Sequence, residues 1–374
     1  MTDIKEKHQI DIAGQPHASR LLSAALRSGS SSHSYLFAGP AGAGKRQAAL
    51  EFAAALCCQH GGCGSCPSCK KALKGSHPDV TIVEPAGSTI KIEQVREVNR
   101  TLRLLPGESP ARVIIISSAE ALGAESANAF LKSLEEPPGF VVFLLLAEHS
   151  GRVLPTIVSR CQMVRFGPVP EDVITSLLIR RHGLSVTMAE TFARISSGNL
   201  SLAESLCTDA DLAGRRQRYL AIAARLGRGG WEGAAGELAA EVESASVQAG
   251  ETAEAALSGA EAAAVPDGFT AAARNHLKQD VHRRAGAARK QELALALGFM
   301  ESWFRDMMAV AAGAGDAILN KDYELELEDQ ALPSRLQNYL RALEVIEKTR
   351  GKLGYNIGLG LALQAMFYEL MEVL

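Results

Sequence analysis

No apolar run in the chain approaches the roughly 18 residues that a membrane-crossing helix needs, so a helical membrane anchor is excluded. The stretch from Met1 to Ile10 is polar and offers no apolar core of a secretory signal, which predicts a cytoplasmic protein. Charge of one sign is missing too. With 39 Lys and Arg against 42 Asp and Glu, the net charge of −3 excludes a basic nucleic-acid coat, and any DNA contact must be local or come through a partner. Cysteine is scarce outside one place: five of the seven fall between Cys57 and Cys69. In a reducing compartment such a cluster reads as a metal site and not as a disulfide framework. From Tyr219 to Leu374 there is helical patterning with no clustered His or Cys and no paired carboxylates, so no chemistry is expected there. What remains is an ordinary globular composition, 47% hydrophobic over 374 residues, enough for two or three domains with their own cores.

The most informative stretch is Gly39-Pro-Ala-Gly-Ala-Gly-Lys45-Arg46, directly after the apolar run Tyr35 to Ala38 and before a helix-forming run from Gln47 to Leu56. A strand, a glycine turn and a helix in that order make a phosphate cradle. Gly39, Gly42 and Gly44 let successive N–H groups face one concavity, the helix N-terminus adds positive potential, and Lys45 reaches the outer phosphates. A hydroxyl should follow the lysine to ligate magnesium, and Arg46 stands there instead. A guanidinium cannot ligate a cation. Two like unit charges about 4 Å apart cost roughly 4 kcal/mol at an effective dielectric near 20, and a divalent ion about twice that. The pattern predicts a phosphate-binding loop that has lost its metal ligand.

The second signal is Cys57-Cys58-Gln-His-Gly-Gly-Cys63-Gly-Ser-Cys66-Pro-Ser-Cys69. Three thiolates spaced C-x2-C-x2-C on a flexible turn can converge, and Cys57, with Cys58 as the alternative, closes a tetrahedral set for structural zinc. His60 and His77 are weaker candidate ligands. No further cysteine shortly after Cys69 supports an iron–sulfur cluster.

Val80 to Val83 reads as a strand, and Ile92, Val95, Val98, Leu102 and Leu105 mark one face of a helix ending at Pro106. Val113 to Ile116 and Phe140 to Leu146 are wholly apolar, as in a parallel sheet covered on both faces. A P-loop ATPase needs Asp, often with Glu, at the end of the first of these strands, and this one ends in Ser117-Ser118. Glu120, three residues on, is expected to point elsewhere.

Four blocks in this order, GPAGAGK, the cysteine cluster, Ala127 to Pro138 (ANAFLKSLEEPP) and Pro155 to Cys161 (PTIVSRC), resemble the bacterial DNA polymerase III clamp-loader subunits of the AAA+ ATPase superfamily. The likeness covers about residues 8 to 206. A weaker one, at Trp303 to Asp306 and Asn356 to Leu363, lies in the tail. It implies an α/β fold: an AAA+ P-loop domain with a parallel sheet over residues 1–168, carrying the zinc module 57–69, then a helical lid at 169–208. An all-α collar at 209–374 would follow, with an Ala/Gly-rich insert about 227–267 expected to be loosely packed or mobile. The family has active tau/gamma motors and a non-hydrolysing stator. The resemblance to the motors fails at four stations, where this chain has Arg46, Ser117-Ser118, Ala147-Glu148 and Ser201. That implies the stator, which takes part in loading the sliding clamp onto primed DNA together with tau/gamma and delta subunits, with ATP possible but not hydrolysed. Arg160, within Ser159-Arg160-Cys161, is implied to act as an arginine finger toward the neighbouring subunit's ATP. The alternatives are an active tau/gamma-type ATPase using Glu120 or Glu148, and an interaction scaffold unrelated to replication.

Overall fold

The computed structural model describes residues 10–28, 32–85, 89–230, 233–263, 271–352 and 358–374, with the backbone alone at 210, 249, 252–263, 271–284 and 287. The polar start up to residue 9, residues 231–232 and 264–267 of the Ala-rich segment, and Asn356 and Ile357 of the tail likeness lie outside the described residues. The chain divides into two compact units, Met1–Glu204 and Ser205–Leu374.

The first unit is built on five parallel strands: β1 (Ser34–Ala38), β2 (Val80–Val83), β3 (Arg112–Ile116), β4 (Val141–Ala147) and β5 (Gln162–Arg165). Their order is β2-β3-β4-β1-β5. Leu36 stands opposite Leu145 and Met163, so β1 is hydrogen-bonded on both edges. Every residue of β1, β3 and β4 is buried, because alternate side chains feed two separate cores. Tyr35, Phe37, Val113, Ile115, Leu144 and Leu146 pack with α1 (Pro16–Ser28), α2 (Lys45–Cys57) and α3 (Pro67–Leu73). Leu36, Ile114, Ile116, Phe143 and Leu145 pack on the opposite face with α4 (Ile92–Thr101), α5 (Ala124–Glu135) and α6 (Pro155–Val158). Helix α2 lies close to the sheet because its inner face is Ala48, Ala49 and Ala53, with Phe52 meeting Tyr35 edge to face at 5.3 Å. The β1–α2 turn is thereby held at the carboxyl end of a central strand, where open parallel sheets bind ligands. Three further helices follow the sheet: α7 (Glu171–His182), α8 (Val186–Ile195) and α9 (Leu200–Thr208).

One expectation fails within this unit. Helix α4 ends at Thr101, not at Pro106, and Leu105 is 76% exposed. The cause is Arg112, whose guanidinium donates to the Thr101 and Leu105 carbonyls and turns the chain out of the helix.

The second unit is helical among the described residues: α10 (Ala210–Gly227), α11 (Ala234–Ala263), α12 (Ala271–Ala311), α13 (Glu324–Gln330), α14 (Leu336–Lys352) and α15 (Leu359–Val373). Helix α12 packs on α10, α11 and α14, and α15 on α11 and α14. Tyr219, Trp303, Phe304, Tyr339, Ile346 and Leu363 fill the interior. The alanine-rich segment forms continuous helix in α11, with Leu238 and Val242 buried. Buried Arg216 is held by Asp322 and by Asn320, and Asp306 caps the Leu319 and Asn320 amides. Among the described residues no helix is long and apolar enough to cross a membrane.

Candidate functional site

The glycine turn carries β1 into α2 as expected. Gly42 and Gly44 sit at φ +67° and +89°, left-handed conformations that side chains rarely adopt. A Cβ on Gly39 would lie 2.2 Å from the Phe166 carbonyl, so the third glycine allows the turn to pass β5. Lys45 folds back over the turn, donating to the carbonyls of Gly39 (2.5 Å) and Pro40 (2.7 Å). Burial lowers its pKa, and the negative charges of Glu148 and Glu120 work against that shift. Glu120 is placed beside Glu148. Its Oε1 accepts from the Glu148 amide at 2.9 Å, while Oε2 is buried and accepts no hydrogen bond.

Arg46 reaches sideways to Glu84, just past β2, in an exposed pair at 2.9 Å. At the end of β3 the Ser117 hydroxyl donates to the Val83 carbonyl at 2.9 Å. Both positions that should face a magnesium ion are thus directed at other groups. Arg46 offers no ligand atom for that metal.

The segment between α8 and α9 closes over the turn. The Leu200 amide donates to the Gly42 carbonyl at 3.1 Å, and a Cβ on Gly42 would lie 1.6 Å from Asn199 Oδ1. Asn199 in turn caps α9 through the Leu202 amide at 2.9 Å. A cavity of about 800 Å3 opens beside these contacts, lined in part by Ile12, Gly44, Arg46, Leu177, Arg181 and Ser201. Its volume is that of a small-molecule site. Asn199 was not among the expected residues, although an Asn before a helical run is a legible cap signal.

The cysteines resolve differently from the first choice. Cys58, Cys63, Cys66 and Cys69 bring their sulfurs within 4.8 Å of one another. Cys57 is excluded because, one residue earlier on α2, its thiol faces inward to the Ala111 carbonyl at 3.7 Å, and burial raises its pKa to about 11. The Cys58 sulfur lies 3.8 Å from Cys63 and 3.7 Å from Cys66. A tetrahedron of Zn–S bonds near 2.3 Å has edges of about 3.8 Å, so the donor set fits zinc. Cys63 is ready as a thiolate: amides of Ser65 and Cys66 lower its pKa to about 5. Cys58 is pushed up by burial, but amides of Cys63, Gly62 and His60 more than reverse this.

Neither histidine joins the set. His60 contributes its backbone amide to the Cys58 sulfur at 3.3 Å. Both ring nitrogens of His77 are engaged, Nδ1 accepting from the Asp79 amide and Nε2 meeting Ser68 Oγ, so His77 ties α3 to the start of β2.

Arg160 follows α6 at the surface, with one third of its side chain exposed. Cys161 packs toward the sheet core beside it. The Arg160 Nε donates to Glu135 Oε1 at 2.8 Å, Nη2 donates to the same oxygen, and Nη1 reaches the Thr156 carbonyl at 2.9 Å.

Residues 14–170 match the family described as DNA polymerase III, delta subunit. The chain is 35% identical over 211 residues to the DNA polymerase III subunit delta-prime of Bacillus subtilis, covering 56% of this chain and 64% of that protein. It is 43% identical over 135 residues to the delta-prime subunit of Pseudomonas aeruginosa, covering 34% and 41%. The chain is also 35% identical over 168 residues to the tau subunit of Bacillus subtilis, covering 44% of this chain and 30% of that one. The delta-prime alignments therefore span under two thirds of each relative's own length. A gamma-subunit-related protein of DNA polymerase III from Thermotoga maritima superposes at a TM-score of 0.47 and 16% identity, over 94% of this chain and 98% of that one. The fold assignment rests on the strand order given above. All the blocks that carry the family likeness before Pro170 lie on this region: the glycine turn, the cysteine module, the α5 end and the Arg160 segment.

Proposed function

We propose that the chain acts as the delta-prime stator of a bacterial clamp loader, in the cytoplasm, together with tau/gamma and delta subunits. It would help to place a sliding clamp on primed DNA with ATP hydrolysed in a neighbouring subunit. The observation that carries this is the pairing of a phosphate-type loop that has Arg46 in place of a hydroxyl with a surface arginine, Arg160, on a separate segment. Arg46, which has no ligand atom, is directed to Glu84, and the Ser117 hydroxyl donates to a backbone carbonyl, so neither station carries the carboxylate or free hydroxyl expected there. Arg160 stands at the surface on a separate segment. An arginine supplied in trans to a phosphoryl-transfer transition state is worth about 10³–10⁵ in rate. Nucleotide could still enter the cavity beside Gly44, held by loop amides and by Lys45 once it leaves the Gly39 and Pro40 carbonyls. Cys58, Cys63, Cys66 and Cys69 would hold a structural zinc ion, which would close the α2–α3 turn.

In the assembled loader, Arg160→Ala should leave subunit association intact and lower the ATPase stimulated by clamp and DNA by about 10³-fold or more. An unchanged rate would remove the proposal. A second reading draws on Glu120, whose Oε2 is buried without a partner near Lys45. In it the chain is itself an ATPase using that carboxylate, and magnesium-dependent turnover by the isolated chain would establish it.

A further inference from the structure

Glu135 is the last residue of α5, where the helix dipole disfavours an acid, and the chain turns away at once through Pro137 and Pro138. One of its oxygens takes both the Nε and the Nη2 hydrogens of Arg160. The other side of the guanidinium is held too, Nη1 donating to the Thr156 carbonyl of α6 at 2.9 Å and to Ser159 Oγ at 3.3 Å. Of the five N–H donors on an arginine, four are spent on the protein and one, on Nη2, is left. A long side chain with a third of its surface in solvent would ordinarily sample many rotamers, and ordering it on contact with a phosphate would oppose that contact. Here the ordering is complete beforehand, between the ends of two helices that belong to one core.

We infer that Glu135 is a positioning residue for Arg160. It fixes the plane of the guanidinium so that its remaining donor and its charge meet a nucleotide's terminal phosphate on a neighbouring subunit without further ordering. This rests on the trans role proposed for Arg160, and it assigns Glu135 no contact with the nucleotide itself. The opposite role is that of a sheath, a carboxylate competing with the phosphate for the arginine. The two roles differ in sign.

The test is steady-state ATP hydrolysis by the fully assembled, clamp- and DNA-stimulated loader carrying this subunit as wild type, R160A, E135A or E135Q. Assembly is checked by gel filtration and subunit stability by thermal melting. Positioning predicts that E135A lowers kcat about tenfold with KM for ATP unchanged, because the nucleotide binds elsewhere. E135Q keeps the acceptor oxygen and should stay within about twofold of wild type. A wild-type or faster E135A loader overturns the inference, a faster one identifying the sheath. An E135Q rate as low as that of E135A overturns it as well, since the acceptor is then not what matters. If R160A lowers the rate and E135A does not, only the role of Glu135 falls. A rate indifferent to R160A takes both down.

Discussion

A carboxylate with 2% of its side chain exposed must find donors, and Asp79 takes the amides of Gly107, Glu108 and Ser109 as well as the Ser109 hydroxyl. Arg112 lies 3.6 Å away. Burial alone would raise the pKa of Asp79, but those amides more than reverse it, so the folded-state value lies below the ordinary one. A depressed carboxylate stabilises the fold above its unfolded pKa, near 4, and that contribution is lost as pH falls through the folded value. Urea midpoints measured between pH 5 and 3 should therefore fall steeply for wild type and less steeply for Asp79→Asn. Asp79→Ala leaves the Arg112 guanidinium buried beside empty space and should cost about 3–5 kcal/mol. A midpoint at neutral pH within error of wild type would contradict the role. None of this was legible in the sequence, where Asp79 is one acid in a loop. Its four donors come from residues about thirty positions away.

At the scale of elements, the glycine turn and the helix α9 start form one device. Gly42→Ala meets both a left-handed backbone and the Asn199 carboxamide, and should destabilise the first unit by about 1–3 kcal/mol. Faster amide exchange at Leu200 is the specific readout, because that amide is bonded to the Gly42 carbonyl. The glycines were readable as a tight turn between strand and helix, whereas their closure by Asn199 needed the fold. The cysteine module shows the same division. The spacing identified Cys63, Cys66 and Cys69, but Cys57 and Cys58 are adjacent in sequence and only the phase of α2 separates them. Cys57 points into the core and Cys58 to the turn. Metal analysis of purified protein should find about one zinc per chain, retained in Cys57→Ser and lost in Cys58→Ser. Loss in Cys57→Ser with retention in Cys58→Ser would reverse the assignment. Chelation should lower the melting temperature of wild type and leave that of Cys58→Ser unmoved.

For the molecule as a whole, stations far apart in sequence act on one place. In the proposed reading, Arg46 on α2, paired with Glu84, and Ser117 after β3, bonded to the Val83 carbonyl, would each withdraw one metal contact from the loop. Arg46→Thr alone should therefore leave the isolated chain without magnesium-dependent ATP hydrolysis, as measured by phosphate release, because Ser117 still offers no carboxylate. Turnover in that variant would show that Glu120 or Glu148 already supplies one. The sequence by itself determined the parallel sheet, since uninterrupted apolar strands can be buried only between two layers, and the helical second unit. It also determined that a guanidinium follows Lys45 and that β3 ends in hydroxyls and not carboxylates, because residue type does not depend on the fold. Only the tertiary structure decided where α4 stops, which of two neighbouring cysteines joins the cluster, that Glu120 accepts from the Glu148 amide, and that Glu135 grips Arg160. Each of those depends on which groups separate segments bring within hydrogen-bonding or electrostatic reach, and residue spacing along one chain does not encode that.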